Sequence, residues 1–189
     1  MKDFLKECHP HCAAAAEVRG ENYRITVLTP ALLRLEYCPG NRFEDRPTQT
    51  VLNRDFPVPA FRVVRRAGML HLFTDVLHLT YDEQEFSHNG LKIQVTKSCG
   101  AWENTWRFGE QCGDLGGTSR TLDQSDGAVP LEHGVISRSG FALLDDSRTM
   151  ALTPNPAAPG GMWVEPRRRA GPLFFLLRAP LPGLYPRFL

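Results

Sequence analysis

The side chains able to do chemistry in this chain are scattered along it. Cys8, His9, His11 and Cys12 are four zinc-ligand types within five residues. A closed structural zinc site draws its ligands from two separated pairs, so this cluster is read as a loose N-terminus and no metal is expected. The remaining thiols, Cys38, Cys99 and Cys112, make the count odd, and no Cys-x-x-Cys pair occurs. That usage points to reduced thiols. His71, His78, His88 and His133 sit in no motif that would pair them with a nucleophile. Two sets of carboxylates remain. Asp145 and Asp146 are adjacent at the end of an apolar run, where an extended backbone sends their side chains to opposite faces. Asp123 and Asp126 lie in a polar stretch, with nothing in the sequence to fix their spacing or to raise one pKa as a general acid requires. No catalytic residue is assigned within the chain, and no cofactor is expected.

These residues hang on elements that read as β-structure. In Tyr23–Thr29 and Leu33–Tyr37 apolar residues alternate with Arg24, Thr26, Arg34 and Glu36, the period of a half-buried strand. Further short strands are expected at Ala60–Arg66, Met69–Thr74, Val76–Asp82, Leu91–Thr96 and Phe141–Leu144. Gly68 and Asn89-Gly90 supply turn signals between them, the second being a two-residue hairpin signature. The one helix candidate lies near Cys12–Val18. Short strands, tight turns and no helical spacing predict an all-β, antiparallel β-sandwich. Between two apolar regions runs a long polar segment, Asp114–Glu132, and ordered loops of that length usually carry function. Trp102, Trp106 and Phe108 cluster just before it. The favoured reading is that these rings plug the core, and the alternative is a platform on which a sugar ring stacks.

A chain of 189 residues is enough for one domain with a real core. Its net charge of +1 gives no global electrostatic case for nucleic acid or an anionic membrane. No apolar run reaches the roughly 18–20 residues of a membrane span, and no secretory signal is visible. A cytoplasmic location is the expectation.

Several motifs resemble one family. Phe108-Gly109-Glu110, Asp114-Leu115-Gly116-Gly117-Thr118, Arg120-Thr121-Leu122-Asp123, Pro130-Leu131-Glu132, Gly134, Ser137-Arg138 and Asp145-Asp146-Ser147 are similar to the N-terminal domain of glycoside hydrolase family 31, the retaining α-glucosidases and α-xylosidases. Arg34–Tyr37 and Trp163–Arg167 fit as well, so the match spans about residues 20 to 167. The resemblance implies a galactose-mutarotase-like sandwich preceding a (β/α)8 barrel that carries an aspartate nucleophile and an aspartate acid/base. It implies an α-linked glucoside or oligosaccharide as substrate of the longer enzyme. It also implies a loop, Asp114–Glu132 here, that reaches the innermost sugar subsite, with Arg120, Asp123 and Asp126 as candidate partners of sugar hydroxyls. Retaining hydrolysis needs two carboxyl groups about 5–5.5 Å apart, and no such pair is evident in this chain, so it is expected to be inactive alone. The alternatives are a stand-alone carbohydrate-binding sandwich that uses Trp102 and Trp106, and, by fold analogy, an aldose epimerase.

The domain reading is an N-terminal extension (1–19), a sandwich (20–153), a connector (154–167) and an aberrant tail (168–189). The tail departs from the family. Read one nucleotide later, a legal choice of codons for Gly171–Phe188 spells D-L-Y-F-F-C-Y-G-H-R-Y, the family's continuation, so a frameshift near Arg167–Gly171 is expected. Pro172, Pro180, Pro182 and Pro186 make the tail a poor strand and a poor helix. It is therefore expected to be irregular, and its removal to improve solubility without unfolding the domain.

Overall fold

The computed structural model describes residues 8–96, 104–117, 119, 121–135, 137, 139–155, 157, 162–166 and 173–178. Trp102 and Arg120, both candidate site residues, fall outside these ranges, as does Cys99.

The fold is all-β and antiparallel. In chain order the strands are β1 (Glu17–Arg19), β2 (Tyr23–Thr29), β3 (Leu32–Tyr37), β4 (Arg62–Arg66), β5 (Met69–Phe73), β6 (Leu77–Tyr81), β7 (Leu91–Val95), β8 (Thr105–Arg107), β9 (Phe141–Asp145), β10 (Ala151–Pro154), β11 (Met162–Glu165) and β12 (Leu173–Arg178). One five-stranded sheet has the order β1-β2-β3-β12-β9, and a second is the meander β4-β5-β6-β7-β8. Strands β10 and β11 form a separate ribbon.

The alternation read from the sequence is what joins the sheets. Tyr23, Ile25 and Val27 of β2 and Leu33 and Leu35 of β3 meet Leu70, Leu72, Leu77, Leu79, Tyr81, Leu91, Ile93 and Val95 of the second sheet in one core. Trp106 closes that core: it is 1% exposed, packs edge-on to Phe108, and its indole N–H donates to the Glu110 carbonyl at 2.9 Å. A ring buried in this way has no free face, so the core-plug reading describes Trp106 and the stacking-platform reading does not.

The intervening residues of β2 and β3 are also buried, on the other face of the first sheet. Arg24, Thr26, Arg34 and Glu36 are each at most 2% exposed. They are covered by residues 8–16 and 43–54. Glu36 accepts from Arg24 Nε at 2.6 Å, from Arg34 Nη2 at 2.9 Å and from the Glu44 amide at 3.2 Å. Burial draws the Arg34 guanidinium down, and Glu36 is the charge that opposes this. Arg54, also buried, donates to the carbonyls of Glu44, Asp45 and Arg46. The Arg54 amide donates to the His9 carbonyl at 2.6 Å, and the His9 amide to Asn53 Oδ1 at 2.8 Å. Residues 8–19 are thus tied to the sandwich by hydrogen bonds and by the pairing of β1 with β2.

Two local expectations change and one, the Gly68 turn, holds. The helix candidate is a single 3-10 turn, Ala14–Ala16, which gives way directly to β1. Ala67-Gly68, both at positive φ (52° and 75°), make the tight β4–β5 turn. Asn89-Gly90 does not make a two-residue hairpin. It ends the longer connection 82–90, in which the Asp82 amide donates to the Gly90 carbonyl at 3.0 Å. A Cβ on Gly90 would meet the Asp82 carboxylate at 2.3 Å, so glycine serves close approach there.

Within the tail, Leu173–Arg178 form β12, paired with β3 on one side (Phe174↔Leu35) and with β9 on the other (Phe175↔Leu144). These six residues are therefore built into the first sheet, and the expectation that the tail can be removed without unfolding the domain is reversed. The prolines flank the strand and do not interrupt it. Its unbroken apolar run is the pattern of a central strand, which lacks the alternation of a half-exposed one.

Candidate functional site

The polar segment after β8 is held at its neck by one carboxylate. Asp114 Oδ1 accepts the Gly116 amide at 2.8 Å and the Gly134 amide at 3.1 Å. Oδ2 lies 2.8 Å from His133 Nδ1, which must be the donor because an ionised carboxylate only accepts. The Gly117 amide donates to the Glu132 carbonyl at 2.7 Å, and Asp114 and Ser137 form an isolated antiparallel bridge. The two limbs of the loop are clasped where it leaves and rejoins the sandwich. Only glycine allows them this close: a Cβ on Gly134 would sit 2.4 Å from the Gly116 carbonyl oxygen, and one on Gly117 2.9 Å from that of His133.

Hydrogen bonds from His133, Gly134 and Gly116 hold the Asp114 carboxyl down at about 2, below its ordinary 3.8. The sign has a consequence for pH. A carboxylate with a depressed folded value supports the fold above its unfolded value and loses that support as pH falls through the folded one. The clasp should be intact above about pH 4 and open as pH drops through about 2. In an NMR titration the Gly116 and Gly134 amide shifts are expected to move with a midpoint near 2; a midpoint near 4 would mean that Asp114 is not clasped.

Substitution at Gly134 tests the same neck from the steric side. Gly134→Ala places a methyl against backbone, which cannot swing aside. The neck is expected to weaken by about 1–3 kcal/mol, read as faster hydrogen exchange of the Gly117 amide. Unchanged exchange would rule out the close crossing.

Beyond the neck the loop is exposed. Asp123 and Asp126 both face solvent, in a tip that turns through Gln124 (φ 58°) and Gly127 (φ 93°). Leu115, Leu122 and Leu131 are 57%, 70% and 61% exposed. Asp123 and Asp126 thus lie in the exposed part of the loop, away from the clasp at its base.

A groove of about 720 Å³ lies beside the neck, lined by Phe108, Cys112, Asp114, His133, Leu143 and Asp145 among others. Its chemistry is limited. Burial pushes the Cys112 thiol up to about 11, so it is no nucleophile near neutrality. Asp114 is shifted in the direction opposite to that of a general acid. Asp145 accepts the Ser147 amide at 2.9 Å, whereas Asp146 is fully buried and accepts from Thr48 Oγ1 at 2.9 Å, so these neighbours diverge. Among the described residues no group of three or more metal-ligand side chains comes together. Among the described residues no helix is long and apolar enough to cross a membrane. Sequence reasoning noted Asp114, His133 and Gly134 but not their joint role, because residues nineteen positions apart are brought together only by the loop's return.

No family model matches the chain, and no curated protein matches it. Among solved structures it is similar to a glycoside hydrolase family 31 dextranase from Flavobacterium johnsoniae, complexed with glucose, at a TM-score of 0.45 and 8% identity over 85% of this chain. The chain spans about a quarter of that structure's length (24%). A likeness this distant carries no argument about function.

Proposed function

We propose that this chain is the non-catalytic N-terminal β-sandwich of a retaining α-glycosidase. In the longer enzyme it packs on the catalytic barrel and lends it the loop Asp114–Glu132, whose Arg120, Asp123 and Asp126 meet hydroxyls of an α-linked substrate. The observation that carries this reading is the Asp114 clasp: a long polar loop fixed at its base, with Leu122, Asp123 and Asp126 exposed beyond it. A base held by four hydrogen-bonding groups places a tip reproducibly, which a loop serving another domain needs. The motif set from Phe108 to Ser147 supplies the family.

The test is direct. This chain alone should leave a chromogenic α-glucoside uncleaved, and the longer product of the same gene, read in the shifted frame, should hydrolyse it. In that product Asp123→Ala with Asp126→Ala should raise KM more than it lowers kcat. Hydrolysis by the isolated chain, or a shifted frame that encodes no barrel, would end the proposal.

A further inference from the structure

The outer faces of the two sheets differ in how they treat positive charge. On the first sheet Arg24 and Arg34 are matched by Glu36, and Arg24 also by Asp45. The second sheet has no such matching. Its register aligns Arg62 with Phe73, Phe73 with His78, and Lys92 with Arg107, while Arg66 pairs with Met69 beyond them. The alternate residues of these strands, such as Leu70, Leu79 and Ile93, face the core, so this set faces away from it. No acidic residue occupies an outward position on any of the five strands. Among the described residues no ion pair joins Arg62, Arg66, Lys92 or Arg107 to a carboxylate. Arg62, Arg66 and Lys92 are exposed and Arg107 is half-buried. At the usual strand spacing Arg62 and Lys92, three strands across and two residues along, stand about 16 Å apart, and Arg62 and Arg66 about 13 Å apart along one strand.

We infer that this open face binds an acidic polysaccharide, a chain bearing carboxylate or sulfate groups on its sugar units. Cations spread over two directions of a sheet suit charges that repeat along an extended polymer. Single-stranded nucleic acid fits less well, because it needs aromatic faces for its bases. The one aromatic ring at the centre, Phe73, is already covered on both sides: the Arg62 guanidinium lies 4.6 Å from its centroid, and the His78 ring stacks at 4.2 Å and 13°. Arg62 and His78 come from the strands on either side of β5, so neither ring face is open. A protein partner would want an apolar centre, and none of the exposed large apolar residues among those described (Val58, Leu122, Leu131 and Trp163 among them) lies on these five strands. The inference does not depend on the proposed glycosidase role.

The test uses the whole chain on immobilised heparin and on polygalacturonate, with neutral dextran and oligo-dT as comparisons. Retention on both polyanions at low salt, lost steeply as salt rises, is expected, with none on dextran. Arg66→Glu with Lys92→Glu should weaken binding at least tenfold while the melting curve stays unchanged. Arg42→Glu with Arg148→Glu, exposed positions off this face, changes net charge equally and should retain binding. No retention at low salt, equal loss in both double variants, or tighter binding to oligo-dT than to either polysaccharide would overturn the inference.

Discussion

A chain lacking residues 168–189 is expected to lose cooperative folding. Strand β12 lies between β3 and β9, with five Cα partners on each side. Among the described residues β9 has no other ladder neighbour, so without β12 it loses its place in the sheet. Phe141 and Ala142, now 4% and 2% exposed, would be uncovered, and β3 would present an open edge. A typical domain is stable by only about 5–15 kcal/mol, so a missing central strand removes most of it. Even a partial loss of about 5 kcal/mol would lower Tm by roughly 10–20 °C in a chain of this size. Phe175→Pro is the point version: it deletes one backbone donor where Phe175 pairs with Arg34 and Leu144. Thermal and urea unfolding followed by circular dichroism decides the matter. A truncated chain that melts like the whole would show that β12 contributes nothing.

The second large effect is expected at Glu36. Glu36→Ala removes the carboxylate shared by Arg24 and Arg34, both 1% exposed, leaving Arg24 to Asp45 and Glu17 at its rim and Arg34 to the Glu44 carbonyl. Breaking a buried ion pair from one side costs about 3–5 kcal/mol, because the surviving charge is left uncompensated. The Glu44 amide loses its acceptor too, loosening the segment that also receives Arg54. Arg65→Ala is the comparison. The Arg65–Glu83 pair spans 3.0 Å but its side chains are 54% and 28% exposed, so its loss should cost no more than about 1 kcal/mol. Urea midpoints for the two variants should differ accordingly; equal midpoints would mean that the arginine cluster is not desolvated.

Much of the sandwich is legible in the sequence because its strands alternate. Tyr23, Ile25 and Val27 against Arg24 and Thr26, or Leu91, Ile93 and Val95 against Lys92 and Gln94, announce both strand and facing. The signal weakens where a second layer covers the outer face. Arg24, Arg34 and Glu36 read as solvent-facing charges, yet they are buried, since burial there depends on a loop eight to twenty-one residues away in some contacts and on the N-terminal segment in others. It fails for β12, whose six residues lack alternation and sit among prolines. The clasp was half visible. Gly116-Gly117 and Gly134 mark close approach, but only the folded loop reveals Asp114 as the residue that joins them.

The strand order also has a kinetic reading. Strands β4 to β8 are neighbours in sequence as well as in space, so this meander can assemble from local contacts as soon as it is synthesised. The other sheet must wait. Its gap between β3 and β9 is filled by the last described strand, and until that segment leaves the ribosome the nascent chain carries two unsatisfied edges. Productive folding then competes with self-association, and the contest should tilt toward aggregates whenever synthesis pauses ahead of residue 173.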